Sequence, residues 1–189
     1  MPKILIVIDM QNDFITGSLG SIDAYKIIRN VRDKVEQCIK DGYRIFFTMD
    51  THKEESYAKS HEGKFLPVEH CIFGTEGWEI IPELKRIMPE PSENCMILYK
   101  NSFGISSWDS YINYRFKGVL DPEGFKQTIE IVGVCTDICV ISNALVLRSQ
   151  LPNAEIIVHA DCCAGTTPER HKVALEVMKS CHITVIGER

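Results

Sequence analysis

Six short apolar runs, separated by stretches of helical periodicity, constrain this chain more than any other feature. Residues 3–9 (KILIVID) form a continuous β-branched run, as in a central parallel strand covered on both faces. Over residues 23–40, Ile27, Ile28, Val31, Val35 and Ile39 recur at helical spacing and Gly42 supplies a stop. The pattern then repeats. Residues 43–50 (YRIFFTMD), 95–100 (CMILYK), 128–134 (TIEIVGV), 155–161 (EIIVHAD) and 182–187 (HITVIG) read as strands. Residues 78–87, 106–116, 136–149 and 167–180 read as helices, with Ser106 as a cap for the second and Pro168 just inside the start of the last. Residues 51–77 show no period, and a loop of that length in a compact domain usually serves function.

Strand–helix alternation of this kind predicts an α/β protein, a doubly wound sandwich around a parallel sheet. No linker or repeat interrupts the 189 residues, so one domain over 1–189 is expected. A net charge of -5 without a basic block argues against nucleic acid or anionic membrane as partner. The longest apolar runs are strand-sized, and the N-terminal run lacks the longer core and cleavage site of a signal peptide. A cytoplasmic protein is expected. The 8 cysteines then read as reduced thiols, mostly small buried hydrophobes.

In doubly wound folds ligands bind outside the C-terminal edge of the sheet. Asp9, Asp50, Lys100 and the pair Cys135/Cys139 all fall at strand C-termini, which makes residues far apart in sequence candidates for one pocket. A thiolate at Cys139 would gain from a helix N-terminus and from Lys100. Together these are expected to bring its pKa from about 8.5 to about 6.5. Asp9 is placed to take the thiol proton, and backbone N–H groups around Cys135 and Cys139 to hold an oxyanion. The bland readings are core filler for the cysteine, a turn residue for the aspartate and a solvated charge for the lysine. Cys135 and Cys139 are spaced C-x-x-x-C, where dithiol redox chemistry prefers C-x-x-C. Asp50, His52, His61, Glu62, Glu69 and His70 offer carboxylate and imidazole ligands suited to zinc, iron or manganese. A histidine-bearing surface loop reads equally well from spacing alone.

Four ordered segments, VIDMQNDFITGSL, DTH with HCIFGTEG, YKNSFGISSW and GVCTDICV, together resemble the isochorismatase-like cysteine hydrolases, and within them the nicotinamidases. The resemblance implies a three-layer α/β/α sandwich with a six-stranded parallel sheet. It implies a triad of Asp9, Lys100 and Cys139, and a cis peptide at Val134–Cys135 that turns the Cys135 N–H toward the oxyanion beside that of Cys139. It further implies a divalent metal, zinc first, on Asp50, His52 and His70, with Phe14 and Phe103 packing a flat heteroaromatic ring. The implied reaction is hydrolysis of nicotinamide to nicotinate and ammonia through a thioester on Cys139, in an enzyme that forms a homo-oligomer. Whether His61 or Glu62 joins the metal is left open, and Cys135 stands where a small apolar residue is more usual. Residues 116–127 make a longer connection than the fold needs. The alternatives are a related hydrolase acting on another small amide, ureido or vinyl-ether substrate, a non-catalytic metal- or ligand-binding protein, and a thiol redox sensor.

Overall fold

A computed structural model of the chain describes residues 3–92, 94–115 and 127–188. Its six strands are β1 (Ile4–Ile8), β2 (Arg44–Asp50), β3 (Cys95–Lys100), β4 (Thr128–Val134), β5 (Glu155–Ala164) and β6 (Thr184–Ile186). They form one sheet in the order β3-β2-β1-β4-β5-β6, with every neighbouring pair parallel. The first half of the chain builds outward from β1 to β3, and the second half builds the other way from β4. The direction of winding therefore reverses between β1 and β4, where a crevice opens at the strand C-termini.

Side-chain alternation along β1 sets the layers. Ile4, Ile6 and Ile8 join a core with Trp108 and Ile112 of α7 (Trp108–Arg115), Leu147 of α8 (Ile141–Gln150), and Leu175 and Met178 of α9 (Pro168–Ser180). Leu5 and Val7 join the opposite core with Val31, Val35 and Cys38 of α3 (Ile28–Lys40) and Leu84 of α6 (Pro82–Lys85). The outcome is the expected three-layer α/β/α sandwich. All five β1 side chains are fully buried, each contributing roughly 2 kcal/mol. Taken together the five exceed the roughly 1–3 kcal/mol cost of a left-handed residue such as the one that follows, Asp9 at φ 48. Beside it Gly133 allows β4 to close on β1, since a Cβ there would lie 2.1 Å from the Ile8 carbonyl oxygen.

The sequence pattern blurs some boundaries. The segment expected as one helix over 23–40 is divided at Ile27 into α2 (Ile22–Lys26), capped by Ser21, and α3. The aperiodic stretch 51–77 contains two single turns, α4 (Glu54–Tyr57) and α5 (His61–Phe65), too short to show a period. Another short helix, α1 (Asn12–Ile15), follows β1 directly. The helix expected over 78–87 is only α6, started by Pro82 at its first turn. β5 runs on through Ala164, so Cys162 and Cys163 are strand residues that alternate between the two cores. Of the long connection 116–127, residues 116–126 lie outside the described residues. Among the described residues no helix is long and apolar enough to cross a membrane.

At mid-sheet, away from the crevice, Glu130 of β4 is buried beneath three donors. Tyr43 Oη is 2.6 Å from Oε1, and Lys34 Nζ and His159 Nε2 are each 2.5 Å from Oε2. Burial alone would raise this carboxyl, but the bonds from His159, Lys34 and Tyr43 outweigh it and hold the pKa at about 2 against an ordinary 4.5. The carboxylate's contribution is complete above pH 4.5 and is lost as pH falls through about 2. Glu130→Gln should cost about 3 kcal/mol at neutral pH. It should also flatten the acid-side loss of stability over that window, both measured by urea denaturation across pH. Equal stability of variant and parent at pH 7 would contradict this assignment.

Candidate active site

The first strand delivers Asp9, fully buried, into the crevice. Its N–H meets both the carbonyl (3.2 Å) and the Oγ1 (3.1 Å) of Thr48, while Thr48 Oγ1 donates to Asp9 Oδ1 at 2.6 Å. Asp50 and Lys100 are register partners at the ends of β2 and β3. Lys100 Nζ lies 2.6 Å from Asp9 Oδ2, 3.6 Å from Asp50 Oδ1 and 3.6 Å from Cys139 Sγ. Beyond β4 the Val134–Cys135 peptide is cis. A π-helical turn, Thr136–Val140, then carries Cys139 to the crevice before α8 begins. The Asp137 carboxylate pins this turn by accepting from the Thr166 N–H (2.8 Å) and Oγ1 (2.6 Å). Asp9, Lys100 and Cys139, far apart in sequence, thus share one polar contact set.

Charge balance at this point differs from the expectation. Burial drives the Cys139 thiol well above its usual pKa; Lys100 opposes the rise, and Asp9 and Asp50 reinforce it. The expected drop to about 6.5 is therefore corrected, because burial of the sulfur penalises a thiolate more than the one shared cation relieves it. Burial likewise raises Asp9, with Lys100 only partly offsetting it. Burial would neutralise Lys100, but Asp9, Cys139 and Asp50 outweigh it and keep the ammonium charged. Burial thus strengthens the hold of both Asp9 and Cys139 on a proton, with the Lys100 ammonium opposing it at each.

Beside Asp50 sits a second cluster. One ligand atom each from Asp50, His52, Glu62 and His70 falls within 4.8 Å of the others. His52 Nε2 is 3.0 Å and His70 Nε2 3.5 Å from Asp50 Oδ2, and Glu62 approaches the same two nitrogens at 3.8 and 3.5 Å. His70 Nδ1 points at the Val68 carbonyl (2.9 Å), which leaves Nε2 free to face the cluster. Burial would depress the His70 pKa, yet Asp50 and Glu62 raise it to about 10. A cation is what these carboxylates call for, and two imidazoles with two carboxylates suit a divalent transition metal. Of the two residues left open, Glu62 is the one whose carboxylate lies in this cluster, while the His61 ring packs on Phe65 (4.9 Å between centroids). Gln11, fully buried, fixes the Asp50 backbone by accepting from its N–H (2.7 Å) and donating to its carbonyl (2.9 Å).

Both clusters open into a cavity of about 830 Å³ that Phe14, Asp50, Glu62, His70, Phe103 and Cys139 help to line. Phe14 is buried with its ring 5.5 Å from that of His70, whereas Phe103 is half-exposed at the rim. Cys135 lines the same cavity. Sequence reasoning passed over Thr48, Gln11 and Asn143, polar residues buried completely or nearly so. A polar side chain inside an apolar strand or helix pattern was the available signal.

A family model described as the Isochorismatase domain matches residues 3–188. The chain belongs to the isochorismatase family. Among isochorismatase-family relatives, a nicotinamidase of Schizosaccharomyces pombe is 25% identical over 98% of this chain and 93% of its own. The crystal structure of nicotinamidase/pyrazinamidase from Bacillus subtilis superposes with a TM-score of 0.81 at 26% identity, covering 98% of this chain and 99% of that one. The pyrazinamidase of Pyrococcus horikoshii in complex with zinc gives 0.78 at 27% identity over the full length of both chains.

With its thiol raised, Cys139 should alkylate slowly at pH 7 to 8 and progressively faster above pH 9. Lys100→Gln should slow it further. Mass spectrometry of the iodoacetamide-labelled peptide reads this site apart from the other cysteines. A fast rate already level below pH 7 would show that burial does not dominate.

Proposed function

We propose that this protein is an amidohydrolase that converts nicotinamide, or a closely related heteroaromatic carboxamide, to the acid and ammonia. The reading rests on one observation above the others: Lys100 Nζ touches Asp9, Asp50 and Cys139 at the edge of a cavity that Asp50, Glu62 and His70 also line. Relatives named nicotinamidase and pyrazinamidase support it.

In the proposed reaction Asp9 takes the proton from Cys139 Sγ as the sulfur adds to the carboxamide carbon. The transfer is made feasible because burial raises the proton affinity of Asp9, while Lys100 stays charged beside the nascent thiolate. Backbone N–H groups of Cys135 and Cys139 hold the oxyanion. Asp9 returns the proton to the departing ammonia, leaving a thioester on Cys139. Water, deprotonated by Asp9, then attacks the thioester and releases the carboxylate product with the thiol restored. Phe14 and Phe103 flank the ring, where offset or edge packing against an aromatic is favourable. Asp50, His52, Glu62 and His70 would hold a divalent cation, zinc in the first instance, with iron or manganese also suited. Such an ion supplies a Lewis-acid contact for the ring nitrogen and so an orientation for the carboxamide.

Of the rivals in the same family, a hydrolase of vinyl-ether compounds has no use for a ligand cluster beside Asp50, and a ureido amidase would want a cationic clamp for its substrate carboxylate. A redox sensor would have no need of Lys100.

Ammonia release from nicotinamide should be abolished by Cys139→Ala and reduced at least about 1,000-fold by Asp9→Asn, which removes the base. Activity surviving in Cys139→Ala would sink the mechanism. Chelation should remove turnover and zinc should restore it. Glu62→Ala should weaken zinc binding by about 10-fold or more, and His61→Ala should leave it unchanged, as titrated against a chromogenic chelator. Equal zinc affinity in all three proteins would remove Glu62 from the ligand set.

A further inference from the structure

Asn143, in the first turn of α8, is fully buried and uses its entire amide. Its Oδ1 accepts from the Ile105 N–H (3.0 Å) and Trp108 Nε1 (2.8 Å). Its Nδ2 donates to the Phe103 carbonyl (3.1 Å) and the Cys139 carbonyl (2.7 Å). One side chain therefore joins the segment after β3, which carries Phe103 into the cavity, to the turn that carries Cys139. A second bridge, from Gln150 to Ser106 and Asp109, lies at the far end of α8. Close to the cavity, Gly104 backs onto Ser142 so tightly that a Cβ would come within 3.3 Å of it. The Phe103 side chain is 48% exposed, so packing alone fixes it weakly and its backbone anchor matters.

We propose that Asn143 is a positioning residue that sets the separation between the Phe103 ring and the Cys139 sulfur, and through it the affinity for a planar heteroaromatic amide. The proposal builds on the amidohydrolase reading above. Asn143 meets Cys139 only at its backbone carbonyl, and among the described residues neither Asp9 nor Lys100 nor the His52–Glu62–His70 cluster has a hydrogen bond to it, so its loss should act chiefly on ring binding and leave the Lys100 contact of the sulfur in place. Asn143→Asp keeps the shape and the two accepted bonds but loses both donated ones, and so separates anchoring from simple cavity formation.

The experiment measures nicotinamide binding by calorimetry in zinc-loaded Cys139→Ala protein, alone and combined with Asn143→Ala, Asn143→Asp or Phe103→Ala. Asn143→Ala and Asn143→Asp should each weaken binding by about 10-fold or more, the scale of one unmade buried hydrogen bond. Adding Asn143→Ala to Phe103→Ala should weaken it by no more than about 2-fold further, because residues acting through one another are not additive. With Cys139 present, Asn143→Asp should raise KM about 10-fold with kcat within about 3-fold. Zinc affinity should not change. Unaltered nicotinamide binding in both Asn143 variants, full additivity with Phe103→Ala, or a parallel fall in zinc affinity would overturn the role of Asn143 alone. Failure of zinc-loaded Cys139→Ala protein to bind nicotinamide would overturn the amidohydrolase reading, and this role with it.

Discussion

A single ammonium group holds the crevice together. Lys100 is charged inside the protein and answers two carboxylates and a thiol at once. An isolated ion in such a place costs on the order of several kcal/mol, and only close partners make it tenable. The same desolvation that makes Lys100 dependent on Asp9 also raises the proton affinity of Asp9 and of Cys139. Structure and proposed chemistry share one cause: burial strengthens the hold of Asp9 and Cys139 on a proton, while close partners keep Lys100 charged.

The sheet makes that site possible by reversing its winding between β1 and β4. Asp9 leaves the end of β1 just where β4 passes it, and β2 and β3 bring Asp50 and Lys100 to the same edge in register. Gly133 permits the close approach of the two central strands. Polar residues buried around the crevice then fix each part: Thr48 holds Asp9, Gln11 holds Asp50, and Asn143 ties Phe103 to the turn of Cys139. Each of these bonds joins residues distant in sequence except that between Asn143 and Cys139, one helical turn apart.

Much of this was legible in the chain. Apolar runs ending in Asp9, Asp50 and Lys100 identified strands whose C-terminal residues share an edge, and their order in the family resemblance matched the fold. Boundaries were less legible. Ile27 carries the helical period yet ends one helix and precedes another, because a cap by Ser21 and a turn at Ile27 are invisible to periodicity. The single turns around His61 are too short for any period, so which of Glu62 and His61 comes near Asp50 was not readable from spacing.

The sequence by itself determined the α/β alternation, the set of reactive side chains and their places at strand ends, since apolar period and chain order are local properties. Only the tertiary structure decided the burial that raises the Cys139 thiol, the approach of Glu62 to Asp50, His52 and His70, and the bridging part of Asn143. The reason is physical. Desolvation and hydrogen-bond geometry depend on what every other element brings to within a few ångströms, and no spacing along the chain records that.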